Sequence, residues 1–382
     1  MIEKHIVDPD GDCIFRLRRV SQNSLSENEE IDKENEGAQN LDSNMENSSL
    51  RNDNSIPSDD ESIAENSNAI PEFQEVEFLV SLKYMMLASP VFKAMFQHAR
   101  FKEGEELHTA GTVSVALPDD NPDAFLILVN ILHCRYAEVP LRINLSDLCD
   151  FAILVDKYRM KIISNIWIDT LMHELYTYQA QDVGVLHWLC ISWVFDVHEA
   201  FRRTTWLLMS KGENCLSTRL KDHVIDLPIP DNVIEAIDTG REDLIAAGFK
   251  VMTQMIFEFQ TKRFCNARFE SSSNGGNTVP YVTEACRNEC DSMMLGSLMR
   301  DVVAKNLYPP PAPPFNRLSL LILAKKFEAV KFLSPCKKNQ PDRGANGTFF
   351  PGDCFKYHRL RNEMYKISSE CVGLELGDFK SA

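Results

Sequence analysis

From Ser21 to Glu75 the chain carries fifteen Asp or Glu, ten Asn and ten Ser, against Lys33 and Arg51 as its only cations. With almost no aromatic residue, such a stretch cannot bury enough apolar area to offset the entropy of ordering it. It is expected to be a disordered acidic insertion over 21–75, so any fold must be assembled from what flanks it. It also locates the charge. Two basic against fifteen acidic residues give −13 of the total −16, which leaves a nearly balanced chain elsewhere.

That balance argues against direct binding of nucleic acid, because phosphates are neutralised by clustered Lys and Arg and the basic runs here are pairs such as Arg18-Arg19 and Lys337-Lys338. No apolar run reaches the roughly 18 residues that span a bilayer, and the first twenty residues carry Glu3, Lys4, Asp8 and Asp10 where a signal peptide needs an apolar centre. The expectation is an intracellular protein, cytoplasmic or nuclear, whose eleven Cys are reduced. At 382 residues and 44% hydrophobic composition the chain is long enough for two cores.

Asp8-Pro9-Asp10-Gly11 is turn chemistry, and Cys13–Leu17 follows as a strand. Past the acidic stretch, Val76–Leu82 reads as a second strand, followed by short helices at Tyr84–Ala88 and Val91–Phe96. Ser89 is placed to cap the second of these and Pro90 to start it, since the first helical position has no N–H partner to lose. Val113–Leu117 alternates like a strand, Asp119–Pro122 turns and caps, and Ala124–His133 and Leu145–Tyr158 read as helices. Met85, Met86, Leu87, Phe92, Met95, Phe96, Phe125, Leu128 and Leu132 are the expected core.

Beyond Tyr158 the periodicity is helical, at 162–175, 183–195, 198–209, 229–239 and 244–260, then at 291–306 and 318–332. Ser271–Asn277 reads as a loop, and Pro309–Pro314, following Tyr308, as a rigid connector over 308–314 that an SH3-like groove could also read.

This α+β order, and above all Val80-Ser-Leu-Lys-Tyr-Met-Met-Leu-Ala-Ser-Pro-Val-Phe92 with Phe101–Gly104 after it, resembles the BTB (POZ) family. Val115–Phe125, Ile131-Leu132-His133, Val139-Pro140 and Ala152–Tyr158 are similar to its large fungal branch. The resemblance covers Asp8–Leu17 and Val76 to about residue 175. Two departures stand out: Ser81 lies where the family often has His, and the acidic stretch separates two strands that a short turn normally joins.

The resemblance implies a BTB/POZ-type N-terminal domain, a short sheet edge on a helical cluster, with its first strand in 1–20 and its core in 76–175. A mostly helical domain over 176–270 and a loop-rich helical region over 271–382 follow. It also implies a non-enzymatic adaptor or scaffold whose partners are proteins, either a second copy or a cullin-type ubiquitin ligase; fold alone does not choose between them.

The remaining chemistry is sparse. Cys286 with Cys290 and Cys354 with His358 have Cys-x3-Cys and Cys-x3-His spacing, which suits a structural zinc, and Cys265 and Cys336 lie nearby in sequence. The plainer reading is separate reduced thiols, because the two pairs are far apart and lack compact finger spacing. No catalytic residue and no cofactor are assigned: Cys190, Cys215 and His187 form no signature, and Gly275-Gly276 is no phosphate loop. Ser58-Asp-Asp-Glu61 suits an acid-directed kinase, or is simply solvated spacer. The competing functions are a zinc-dependent hydrolase in the helical half and a nuclear regulator acting through partners.

Overall fold

The computed structural model describes residues 2–20, 73–97, 101–160, 184–221, 223, 226–265, 267–271, 283–335, 347–350 and 358–380. The fold is mixed α+β. It divides into two units, Met1–Leu141 with Lys157–Ile163, and Arg142–Asp156 with Ser164–Ala382. The expected disorder of the acidic insertion falls on 21–72, outside the described residues, as do the expected helix at 162–175 and the expected domain boundary at 175.

The first unit holds a four-stranded sheet, β1 (Glu3–Ile6), β2 (Cys13–Val20), β3 (Phe73–Val80) and β4 (Val113–Ala116), in the order β1-β3-β2-β4. β2 and β3 are antiparallel from Cys13↔Val80 to Val20↔Phe73, whereas β1 joins β3 and β4 joins β2 in parallel. Two strands far apart in sequence are thus nearest neighbours. The last three residues of the expected acidic insertion, Phe73–Glu75, belong to β3, where the Arg18 guanidinium lies 5.9 Å over the Phe73 ring.

Alternation decides the faces. Cys13, Phe15 and Leu17, Val76, Phe78 and Val80, and Val113 and Val115 are all buried. Opposite them, Glu77 pairs with Lys4 at 2.9 Å and Arg16 at 3.2 Å. The buried face meets α1 (Leu82–Ala88), α2 (Pro90–Phe96) and α4 (Pro122–Leu132), with α3 (Lys102–Ala110) beside β4. Phe15 lies 5.4 Å from both Phe92 and Phe125, and Phe78 lies 5.2 Å from Phe125.

Caps close the helices as their sequences dictate. Ser89 Oγ accepts from the Phe92 N–H at 3.1 Å, and Asn121 Oδ1 accepts from Asp123 and Ala124. The expected core holds for Met85, Phe92, Phe96, Phe125 and Leu128, while Met86, Met95 and Leu132 are only half-buried. Leu87 departs from it, at 85% exposed on the outer face of a two-turn helix.

The second unit is helical: α5 (Leu145–Lys157), α6 (Val185–Val194), α7 (His198–Lys211), α8 (Leu216–Lys221), α9 (Asp231–Thr261), α10 (Glu284–Ala304), α11 (Leu320–Glu328) and α12 (His358–Glu370), with an antiparallel pair β5 (Arg268–Ser271) and β6 (Gly347–Phe350). The two helices expected at 229–239 and 244–260 are one, α9. Gly240 does not stop it: a Cβ there would fall 2.5 Å from Met209 Sδ, so the glycine permits close packing.

Ile245, Phe249, Met252, Leu298, Leu320, Leu323 and Phe327 form part of this core. At its margin Arg241 is 1% exposed, and its guanidinium donates to five backbone carbonyls: Gly212, Glu213, Pro314, Phe315 and Leu318. The end of the proline connector is therefore pinned to the helix. Among the described residues no helix is long and apolar enough to cross a membrane.

Candidate interaction surface

The first unit buries Phe15, Phe78, Phe92, Phe96 and Phe125 but leaves other large apolar side chains out, among them Phe73, Phe101 and Leu141. Ile6 on the edge strand β1 is 61% exposed, Tyr136 52%, Tyr84 43% and Leu87 85%. Neighbouring positions relate these four. The Ile6 carbonyl accepts from Arg135 at 2.9 Å, and Tyr136, one residue on, directs its hydroxyl to Cys134 Sγ at 3.5 Å. Next to Cys134, the His133 ring lies 5.0 Å from Tyr84. Leu87 follows one turn along α1, on the same side as Tyr84.

His133 fixes this arrangement. Its Nε2 accepts from the Ser81 backbone N–H at 3.0 Å and its Nδ1 faces the Val129 carbonyl at 2.8 Å. An amide can only donate and a carbonyl only accept, so the ring proton sits on Nδ1. The Leu82 N–H donates to Asp12 Oδ1 at 2.7 Å, which tethers the start of α1 to the turn before β2.

At the sheet edge β1 pairs with β3 alone among the described strands, and its Ile6 carbonyl is taken by Arg135. Glu3 is bound by Arg19 and by His5 at 2.7 Å; burial pushes its carboxyl up, but these two partners hold it below the usual range. Glu77 is likewise held low by Lys4 and Arg16. The charges of this edge are thus internally paired, and the exposed side chains beyond them are apolar.

The residues that carried the family resemblance meet at one place. Ser89 Oγ donates to the Tyr158 carbonyl at 2.7 Å, Phe92 stacks on the Tyr158 ring at 4.3 Å, and buried Asp120 accepts from Lys157 at 2.5 Å and from the Tyr158 hydroxyl. Burial and the Asp120 carboxylate push the Tyr158 phenol up, so it stays a donor.

Of the zinc candidates, Cys286 and Cys290 share α10. Cys286 Sγ accepts from Thr283 Oγ1 at 3.2 Å, while Cys290 is fully buried with Sγ 3.2 Å from Ser334 Oγ. His358 is the first residue of α12, and Cys354 lies outside the described residues, as does Cys336. Cys265 is buried in the same core as Cys290. Among the described residues no group of three or more His, Cys, Asp or Glu is placed to hold a metal.

A groove of about 560 Å³ runs along α8 and α9, lined by Asp231, Glu235, Asp238 and Glu242. Both Asp238 oxygens already accept from the Leu216 and Ser217 N–H groups, so this carboxylate serves as a cap for α8. Cys215 lies 3.9 Å from Glu242, and burial pushes its thiol up, the opposite of nucleophile activation. His187 packs on His223 at 6.1 Å, and burial with that neighbour holds its pKa down.

Sequence reasoning missed Ile6 and Tyr136 and put Leu87 in the core. The available signal was geometric: on a helix as short as α1 only one face can be buried, and Leu82 and Met85 take it. No family model matches this chain, no curated protein matches it, and no solved structure matches it.

Proposed function

We propose that this chain is a non-enzymatic adaptor whose first unit is a BTB-type module that captures a protein, either a second copy of itself or a cullin-type ligase. The observation that carries the reading is the set of exposed apolar side chains Ile6, Tyr136, Tyr84 and Leu87, which includes one on the edge strand β1 and lies on a well-packed core. A stiff core with solvent-facing aromatic and aliphatic side chains is what a protein partner needs as anchors. Support for the family comes from the meeting of Ser89, Phe92, Asp120 and Tyr158, since the residues of the two resembling stretches satisfy each other's polar groups.

The test is the assembly state of the intact chain and of Tyr84→Asp with Leu87→Asp. Light scattering should show association, or affinity capture a stoichiometric ligase subunit, and the double variant should lose it while keeping its melting profile. A monomer that captures nothing refutes the proposal.

A further inference from the structure

The segment Gly373–Lys380 lies on α6 and α7 through contacts resembling those of a bound peptide. Leu376–Asp378 is a single 3-10 turn, closed by the Phe379 and Lys380 N–H groups donating to the Leu376 carbonyl at 3.1 and 3.2 Å. Positions three apart eclipse in such a turn, so Leu376 and Phe379 point the same way. Leu376 is buried at 1% exposure, and the Phe379 ring lies 6.3 Å from Phe201.

Both ends are read as well. The Leu374 N–H donates to Thr205 Oγ1 at 2.9 Å, and that hydroxyl donates on to the Phe201 carbonyl at 2.9 Å. Gly373 runs so close to α7 that a Cβ would fall 1.7 Å from the Arg202 carbonyl oxygen, a backbone atom with no room to retreat. Lys380 donates to the Trp193 carbonyl and the Asp196 carboxylate, and its ammonium lies 4.5 Å over the Trp193 ring. Three side chains and one glycine are thus specified on a segment that has no core of its own.

We propose that this face of α6 and α7 is a peptide-docking site for the pattern Gly-x-x-Leu-x-x-Phe-Lys, and that the chain's own Gly373–Lys380 is its occupant, a strap displaceable without unfolding the helices beneath. The inference goes beyond the adaptor reading and does not depend on it, because it concerns the second unit alone. A tethered occupant competes at an effective concentration in the millimolar range, so the intact chain keeps the site closed to weak competitors.

The test uses a fluorescein-labelled peptide of sequence 372–380, followed by anisotropy against the intact chain and against a chain ending at Glu370. The shortened chain should bind it saturably at one site, with a change in tryptophan emission, and the intact chain at least about tenfold more weakly. Peptides carrying Gly373→Ala or Phe379→Ala should bind the shortened chain at least about tenfold more weakly than the parent. A shortened chain that keeps its helical circular dichroism yet binds nothing overturns the proposal. So does a Gly373→Ala peptide that binds as well as the parent. Should the shortened chain not fold, the full-length Phe379→Ala variant decides: acquired binding supports the strap, and absent binding overturns it.

Discussion

Replacing Arg241 should collapse the second unit more than any surface substitution could. Its guanidinium serves five carbonyls at 2.7–2.8 Å, of which those of Gly212, Phe315 and Leu318 are in buried bonds and those of Glu213 and Pro314 are partly open. In Arg241→Met the two open carbonyls can turn to water. The three buried ones cannot, and each costs about 1 kcal/mol or more when left unpaired. Three stranded buried carbonyls together therefore cost about 3–5 kcal/mol. Removing the charge returns part of its desolvation penalty, which is the cause of its lowered pKa, and this keeps the loss below the sum of five charged bonds. The hydrophobic swap that rescues some buried ion pairs fails here, because the acceptors are backbone and remain. Trp188, Trp193 and Trp206, the tryptophans among the described residues, all lie in the second unit, so their emission reports on it. With a urea dependence of about 2 kcal/mol per M, the midpoint of Arg241→Met should fall by about 2 M. Arg241→Lys, with three donors in place of five, should fall by less. An Arg241→Met midpoint within about 0.5 M of the parent refutes the argument that the carbonyl cradle holds the connector to α9.

Three further outcomes follow from individual groups. His187 is held below its ordinary value of 6.5, so the unfolded chain takes up the proton first; second-unit stability should drop as pH falls through about 6.5 and level off once the folded form is protonated too, and His187→Gln should flatten that step in urea melts from about pH 7.5 to about pH 5.5. Exposed Cys134 should react with iodoacetamide in the native state, whereas Cys13 and Cys190, both buried with thiols pushed up, should be modified only on unfolding, as mass spectrometry of the peptides would show. Asp120→Ala should cost about 1–3 kcal/mol by stranding the Tyr158 hydroxyl, more than Tyr158→Phe, which removes the stranded group itself; amide exchange along β2 and β3 measures both.

Much of the first unit was legible because its signals are local. Ser89-Pro90 announces a helix start through cap chemistry, and alternation over Val113–Leu117 announces a strand. β1 was not legible: Glu-Lys-His-Ile carries one strongly apolar residue, and it becomes a strand by pairing in parallel with β3, whose Glu77 takes up Lys4, while Arg19 on β2 takes up Glu3. The same holds for α12, whose sequence is mostly polar and whose one buried residue among the described side chains, 362–370, is Met364, packed on the far-off α9–α11 core.

The exposed apolar side chains escaped for the opposite reason. Leu87 fits the apolar spacing of α1 as well as Met85 does, and periodicity alone cannot tell an apolar residue that faces the core from one that faces solvent. Long-range contacts decide it. With its proton fixed on Nδ1, His133 takes the Ser81 N–H on Nε2 while Asp12 takes the Leu82 N–H, and the start they set for α1 sends Leu82 and Met85 inward and Tyr84 and Leu87 out. The outward pair thus depends on hydrogen bonds between residues 52 and 70 apart in sequence, which no short window along the chain contains.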